Sequence, residues 1–324
     1  MTTFEPLSEI SDQGLIADIN TQLEDENLPL MLPTLLQIAI YNLDEELFDY
    51  LIEKNADINK SFETYGSPVY LAVSKSSSNL NILRKLIEYG AEINLREFIY
   101  NWTPLHLACY YGKCEVAELL INYGADINMS NLYIMKNPTV NIGITPLHIA
   151  IERDQIRMVE LLCRKNVNTN LESINRGTPL VYAILKERID MVKILVKNGA
   201  DVNKISKICK TRETALSFVV INEFSLTPLH AAIMKQQRRA VKVLLLNDKI
   251  NVNIVIKELH TPLHYAVKVA PSIVTDLLNA GADINICIDN KTIIEYCIEN
   301  NVSKKTIEEI NQHIVKLRSA KLYN

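Results

Sequence analysis

Thr103-Pro104-Leu105-His106 recurs as Thr145-Pro146-Leu147-His148, Thr227-Pro228-Leu229-His230 and Thr261-Pro262-Leu263-His264. Weaker copies begin at Thr34, Ser67, Thr178 and Thr292, and successive starts lie 33, 36, 42, 33, 49, 34 and 31 residues apart. Downstream of most starts comes a second shared segment: Asn55-Ala56-Asp57-Ile58-Asn59, then Gly90 to Asn94, Gly124 to Asn128, Gly199 to Asn203 and Gly281 to Asn285. Two independent motifs locked at one spacing define a repeat with a period near 33 residues. A period of that size belongs to stacked-repeat architectures.

Each part of the repeat has a physical role. Thr caps a helix N-terminus and Pro takes the first helical position, where its missing N–H is harmless, so Thr-Pro starts a helix sharply. Leu105, Leu107 and Ala108 give that helix an apolar stripe, and Val116, Leu119 and Leu120, or Val192, Ile194 and Leu195, give a second helix its buried face. Gly124 or Gly199 ends the second helix in a left-handed cap, and Ala-Asp-Ile-Asn continues into a turn. One helix pair cannot bury its apolar face alone, so neighbours must stack.

This pattern resembles the ankyrin repeat family from about Thr34 to Asn301. The resemblance implies an all-α solenoid of about eight helix-turn-helix repeats with projecting hairpin-like loops and a concave surface made by inner helices and loop tips. It also implies that His106, His148, His230 and His264 bond backbone groups of their own and adjoining repeats rather than a metal. The copies have diverged: Leu35 and Gln37 replace Pro and His in the first, Tyr70 and Val181 replace His in the second and fifth, and only the third keeps the inter-helix glycine, Gly112.

Residues 34–301 are therefore expected to form the repeat array, with long loops at 129–144 and 204–226, which exceed the basic period by about nine and sixteen residues. Thr214 to Val220 in the second insertion looks like a stray repeat start and predicts a short extra helix. Leu15, Ile16, Ile19 and Leu23 place an N-terminal helical cap in residues 1–33, and Ile307, Ile310, Ile314 and Leu317 place a C-terminal capping helix in 302–324.

Bulk properties narrow the class. Of the 324 residues 48% are hydrophobic and 22% charged, which is ordinary for a folded chain. A net charge of -4 argues against a nucleic-acid binder. Charge is uneven: Met1 to Lys60 holds thirteen acids and two bases, and Lys186 to Lys249 thirteen bases and six acids, an asymmetry able to orient a charged partner. No apolar run approaches a membrane span, and the acidic N-terminus lacks a signal-peptide layout. The six cysteines form no Cys-x-x-Cys pair and read as reduced, mostly buried thiols, so a cytoplasmic setting is expected. Abundant Ile and Asn, with Lys outnumbering Arg, reflect AT-rich codons such as those of obligate intracellular bacteria and large DNA viruses.

Nothing in the chain has the layout of a catalytic site, a phosphate loop or a metal site; Cys109 and Cys114 near His106 read as packing, and no enzyme activity or cofactor is expected. Function then falls to partner binding. In the family resembled, targets touch the residue before Thr-Pro, the loop tip and the end of the inner helix. Carried over by position, these are Trp102, Tyr110 and Tyr111 in the third repeat, Ile144, Glu152 and Arg153 in the fourth, Leu185 and Lys186 in the fifth, Leu226, Met234 and Lys235 in the sixth and His260, Lys268 and Val269 in the seventh, and Phe98 and Tyr100 concentrate further aromatics in the third-repeat loop. Aromatic residues come first and cationic ones follow. The expected partner is a protein with an acidic segment and an apolar anchor, bound to a monomer of this chain, and a role directed at a host cell's cytosol fits the composition. The alternative reading is a ubiquitin-ligase substrate adaptor, because the spacing of Ile307 to Leu317 echoes an F-box-like tail.

Overall fold

Thr34 Oγ1 accepts the backbone N–H of Gln37 at 3.2 Å, and a threonine does the same at residues 103, 145, 178, 227, 261 and 292, starting a helix each time. The computed structural model describes residues 34–61, 66–75, 80–98, 100–131, 143–214, 217–257 and 259–322. The N-terminal cap expected in residues 1–33 lies outside the described residues, as does the middle of the 129–144 insertion.

Two units make up the chain, Met1–Asn131 and Leu132–Asn324. The first holds three helix pairs: α1 (Leu35–Asn42) with α2 (Glu45–Glu53), α3 (Pro68–Lys75) with α4 (Asn81–Glu88), and α5 (Pro104–Tyr111) with α6 (Cys114–Asn122). The inner helices α1, α3 and α5 pack side by side. The second unit continues with α7 (Pro146–Glu152) and α8 (Ile156–Arg164), then α9 (Pro179–Leu185) and α10 (Ile189–Lys197). After β1 (Ser206–Thr214) and β2 (Ser217–Leu226) come α11 (Pro228–Met234), α12 (Arg238–Leu245), α13 (Pro262–Val269), α14 (Val274–Asn279), α15 (Ile293–Glu299) and α16 (Lys304–Leu322). Here the inner row is α7, α9, α11, α13 and α15, with α8, α10 and α12 stacked outside it.

Seven- and eight-residue helices are too short to persist alone. Burial holds them: Leu36, Ile40, Leu105, Leu147, Leu180, Leu229 and Leu263 are all almost wholly removed from water. Each such side chain contributes about 1.5–3 kcal/mol. The turn joining inner to outer helix needs a left-handed residue, and Leu43, Gly112, Asp154, Glu187 and Gln236 all have φ between 53° and 69°. Only glycine adopts this without strain, so the diverged copies give up about 1 kcal/mol at each of the other four turns.

Residues 204–226 differ from the loop and short helix that the sequence predicts. β1 and β2 form an antiparallel hairpin, with a bulge where the register shifts between Lys210 and Thr211. Phe218-Val219-Val220-Ile221 is a β-branched and aromatic run that favours strand. Thr214 is followed by Ala rather than Pro, and a one-turn helix with no outer helix to cover it would leave most backbone groups unpaired, whereas a hairpin pairs them across strands. Ser206, Ile208 and Leu226 bury the base of this hairpin.

At the C-terminus α16 packs on α14 and α15. Thr306 and Ile310 are buried there, while Ile307 and Ile314 are half-buried.

Candidate functional site

The histidines are bound into the scaffold. Thr103, Thr145, Thr227 and Thr261 Oγ1 lie 2.7–2.9 Å from Nδ1 of His106, His148, His230 and His264, so each hydroxyl is hydrogen-bonded to the imidazole of its own repeat. His148 Nε2 donates to the Gly177 carbonyl at 3.0 Å and His230 Nε2 to that of His260 at 3.3 Å, tying one repeat to the next finger. Burial lowers the pKa of His148, His230 and His264 from 6.5 to about 4. Gln37 performs the same task in the first repeat: its Oε1 accepts from Thr34 N at 3.1 Å and its Nε2 donates to Gly66 O at 3.0 Å. In the fifth repeat, where Val181 replaces His, Ser206 Oγ accepts from Thr178 N at 3.1 Å. Sequence reading missed Ser206, whose only signal is its place 25 residues after Val181.

An asparagine ladder joins the opposite loops. Asn59 Oδ1 accepts from Glu92 N and Asn94 Oδ1 from Asp126 N in the first unit, at 2.8 and 2.9 Å. In the second unit Asn170, Asn203 and Asn253 accept from Asp201, Asn251 and Asp283 N, each at 2.8 Å.

Within the first unit the predicted aromatic residues come together. The Trp102 ring lies 5.5 Å from Tyr100 and 5.3 Å from Tyr110, and Tyr110 meets Tyr111 edge-on at 5.2 Å. Trp102 also stacks on His106 at 6.5 Å, so the anchored helix start positions the row. Trp102 and Tyr110 are half-buried, whereas Tyr100, Tyr111 and Phe98 are 55%, 54% and 76% exposed. Glu97, which sequence reading did not single out, holds the finger. Its N–H donates to Trp102 O at 2.9 Å, and its carboxylate accepts the N–H groups of Tyr100 and Trp102. Glu97 is only 6% exposed. Burial, with Glu97 second, pushes the Tyr70 phenol well above its ordinary pKa. Lys113 donates to the carbonyls of Val73 and Ser74 at 2.8 and 2.9 Å, closing the end of α3, and burial lowers its pKa.

Within the second unit the predicted cationic positions are exposed at Arg153, Lys186, Lys235 and Lys268, with Met234 half-buried. Ion pairs already engage some of them. Lys186 lies 3.8 Å from Glu152, which holds Arg176 at 2.6 Å, and Lys235 lies 3.1 Å from Glu187. Arg176 and Lys186 sit 5.3 and 5.5 Å from the Tyr182 ring. Exposed pairs of this kind contribute about 0–1 kcal/mol, so a competing carboxylate exchanges with Glu152 or Glu187 at little cost. Cys109 is fully buried and its thiol pKa is pushed up by burial, which leaves it unreactive. Among the described residues no group of three His, Cys, Asp or Glu side chains could hold a metal ion, and no helix is long and apolar enough to cross a membrane.

Comparison with known proteins gives a family model for ankyrin repeats that matches residues 35–131, 132–206 and 210–287. Among similar proteins, ankyrin repeat protein L371 of Acanthamoeba polyphaga mimivirus is 28% identical over 288 residues, covering 87% of this chain and 35% of that protein. Ankyrin repeat protein FPV031 of fowlpox virus is 34% identical over 135 residues, covering 41% of this chain and 37% of its own length. The matches thus span little more than a third of these two relatives. In fold, the chain is similar to the human ASB11 ankyrin repeat domain, with a TM-score of 0.53 at 23% identity over 78% of this chain and 99% of that one.

Proposed function

The chain belongs to the ankyrin repeat family, and we propose that it binds a partner protein through the ends of its inner helices and its finger loops, with the Tyr100–Trp102–Tyr110–Tyr111 row as the anchor. One observation carries this reading: four aromatic rings in unbroken contact, two of them more than half exposed, on a finger stiffened by a buried carboxylate. Rigid aromatic clusters of this kind are where binding energy concentrates, because they bury large area with little loss of side-chain freedom. In the second unit, exchange of Glu152 and Glu187 for acidic groups of the partner gives a weaker, salt-sensitive contact at Lys186 and Lys235. The viral relatives support a host-directed role for such a module. Packing of the α16 apolar face on α14 and α15 favours a cap over an F-box-like tail.

The test is affinity capture with the full chain followed by binding kinetics of the captured partner. Trp102→Ala, Tyr110→Ala and Tyr111→Ala together are expected to raise the dissociation rate at least tenfold, the loss of a hot spot of about 2 kcal/mol. Arg153→Glu, Lys186→Glu and Lys235→Glu together are expected chiefly to slow association and flatten its salt dependence. Unchanged kinetics in both well-folded triple variants would exclude these residues as the binding surface.

A further inference from the structure

We infer that the group held by the aromatic row is a cation, the guanidinium of an arginine presented by the partner, rather than the apolar anchor that the sequence predicts. The inference rests on the proposed function, since it assigns the chemistry of the same row.

Charge comes first. The Glu97 carboxylate lies at the base of the finger, hydrogen-bonded by the backbone of Tyr100 and Trp102 and 6% exposed. Its charge acts through a medium poorer in water than the surface, and it reaches the phenol of Tyr70 in the preceding repeat. An aliphatic guest draws nothing from this field. A cation does, and the same faces attract it through the ring quadrupoles.

The protein's own cations show the preference. In this unit Lys54, Lys75 and Lys113 place their ammonium groups 5.5, 3.2 and 5.4 Å from the ring centroids of Tyr50, Tyr41 and Tyr111. Among the described residues no Lys or Arg lies over Tyr100 or Trp102. Lys113 directs its donors onto the carbonyls of Val73 and Ser74, which draws its charge toward the end of α3 and away from Trp102.

Shape selects among cations. Neighbouring rings stand 5.2–5.5 Å apart, so they touch one another and leave a continuous surface rather than an enclosed box for a round ammonium. A planar, weakly hydrated guanidinium stacks on the face of a single ring of such a surface and keeps its edge N–H groups available for hydrogen bonds. Lysine loses more hydration for the same contact.

Trp102 is the single tryptophan of the chain, so its indole N–H gives one resonance that reports the row directly. The full chain is titrated in a nitrogen-15 correlation experiment with N-acetyl-arginine amide, with N-acetyl-citrulline amide as its planar uncharged isostere, and with N-acetyl-leucine amide. A saturable shift with the arginine amide, weak or absent with the other two, is expected. Glu97→Gln keeps a carbonyl oxygen for the N–H groups of Tyr100 and Trp102 while removing the charge, and is expected to weaken the arginine amide several-fold. Equal responses to citrulline or leucine amide overturn the inference, as does unchanged arginine affinity in a folded Glu97→Gln chain. If that variant melts early, the three amides on the unaltered chain decide the matter. A partner that requires Trp102, together with equal amide responses, removes the guanidinium and leaves the binding row. An arginine-selective response with a partner indifferent to Trp102 upholds the cation site and removes the row from partner binding.

Discussion

His148→Gln should detach the pH dependence of stability from the stability itself. In the folded chain His148 Nδ1 accepts from Thr145 Oγ1 and Nε2 donates to Gly177 O, a pattern that only the neutral imidazole can make. Burial accordingly lowers its pKa from 6.5 to about 4. A depressed folded pKa means that, between those values, the unfolded chain takes up a proton that the folded chain refuses. The stabilising contribution is therefore complete above pH 6.5 and is lost progressively as pH falls toward about 4. A gap of roughly 2.5 units at about 1.4 kcal/mol each makes the full loss roughly 3.5 kcal/mol for this one residue. Glutamine offers the same acceptor and donor without a proton to gain, as Gln37 does between Thr34 and Gly66. His148→Gln is expected to lie within about 1 kcal/mol of the unaltered chain at pH 7.5 and to unfold less readily near pH 5. His148→Ala, which takes one donor from Gly177 O and the acceptor from the Thr145 hydroxyl, is expected to lose about 1–3 kcal/mol at pH 7.5. Urea unfolding by circular dichroism at half-unit pH steps from 4.5 to 7.5 measures all three. An identical pH slope in His148→Gln and the unaltered chain would refute the argument, because the residue would then not be the proton acceptor of the unfolded state.

Ser206→Ala removes the acceptor that Thr178 N uses in place of a histidine and should lower stability by about 1–2 kcal/mol in denaturant melts; no change would mean that water serves equally well there. Gly177→Ala should destabilise more strongly, since φ is +69° and the added Cβ would meet Ser206 Cβ at 2.9 Å; a melting temperature within a degree of the parent's would contradict that packing. Ile310→Glu buries a charge where α16 meets α14 and α15 and is expected to cost about 3 kcal/mol and promote aggregation, followed by scanning calorimetry and light scattering. A monomeric, equally stable variant would show that α16 is not needed as a cover.

Most of the scaffold was legible because its signals are local. Thr-Pro fixes a helix start within two residues, and the apolar stripe after it has no other use than burial. The aromatic row was legible in part: Trp102, Tyr110 and Tyr111 follow from their places in the repeat, yet Glu97 did not stand out, because an acid in a loop ordinarily faces water. Ser206 was hidden for a different reason, since its partner lies 28 residues away and no period marks it. The hairpin at 206–226 was misread because Thr214-Ala215-Leu216 imitates a repeat start, and the strand-forming run behind it has no repeat counterpart. Pairing of Lys186 and Lys235 with Glu152 and Glu187 was equally invisible, as it joins side chains from different repeats.

The asparagine ladder acts as a ruler. From the opening Thr or Ser of a repeat to its ladder asparagine the chain runs 25 to 27 residues for the five rungs, whereas from that asparagine to the next opening it runs anywhere from 8 to 24. Growth has therefore been confined to one margin of the array. On the ladder margin each rung binds a side-chain oxygen to the backbone of the next repeat at 2.8–2.9 Å, which holds the spacing there within a narrow range. On the other margin a segment as long as β1 and β2 enters without disturbing the helices on either side. New recognition elements can be grafted at the fingers while the spacing of the stack stays locked, which separates the part of the sequence free to change its target from the part that must keep count.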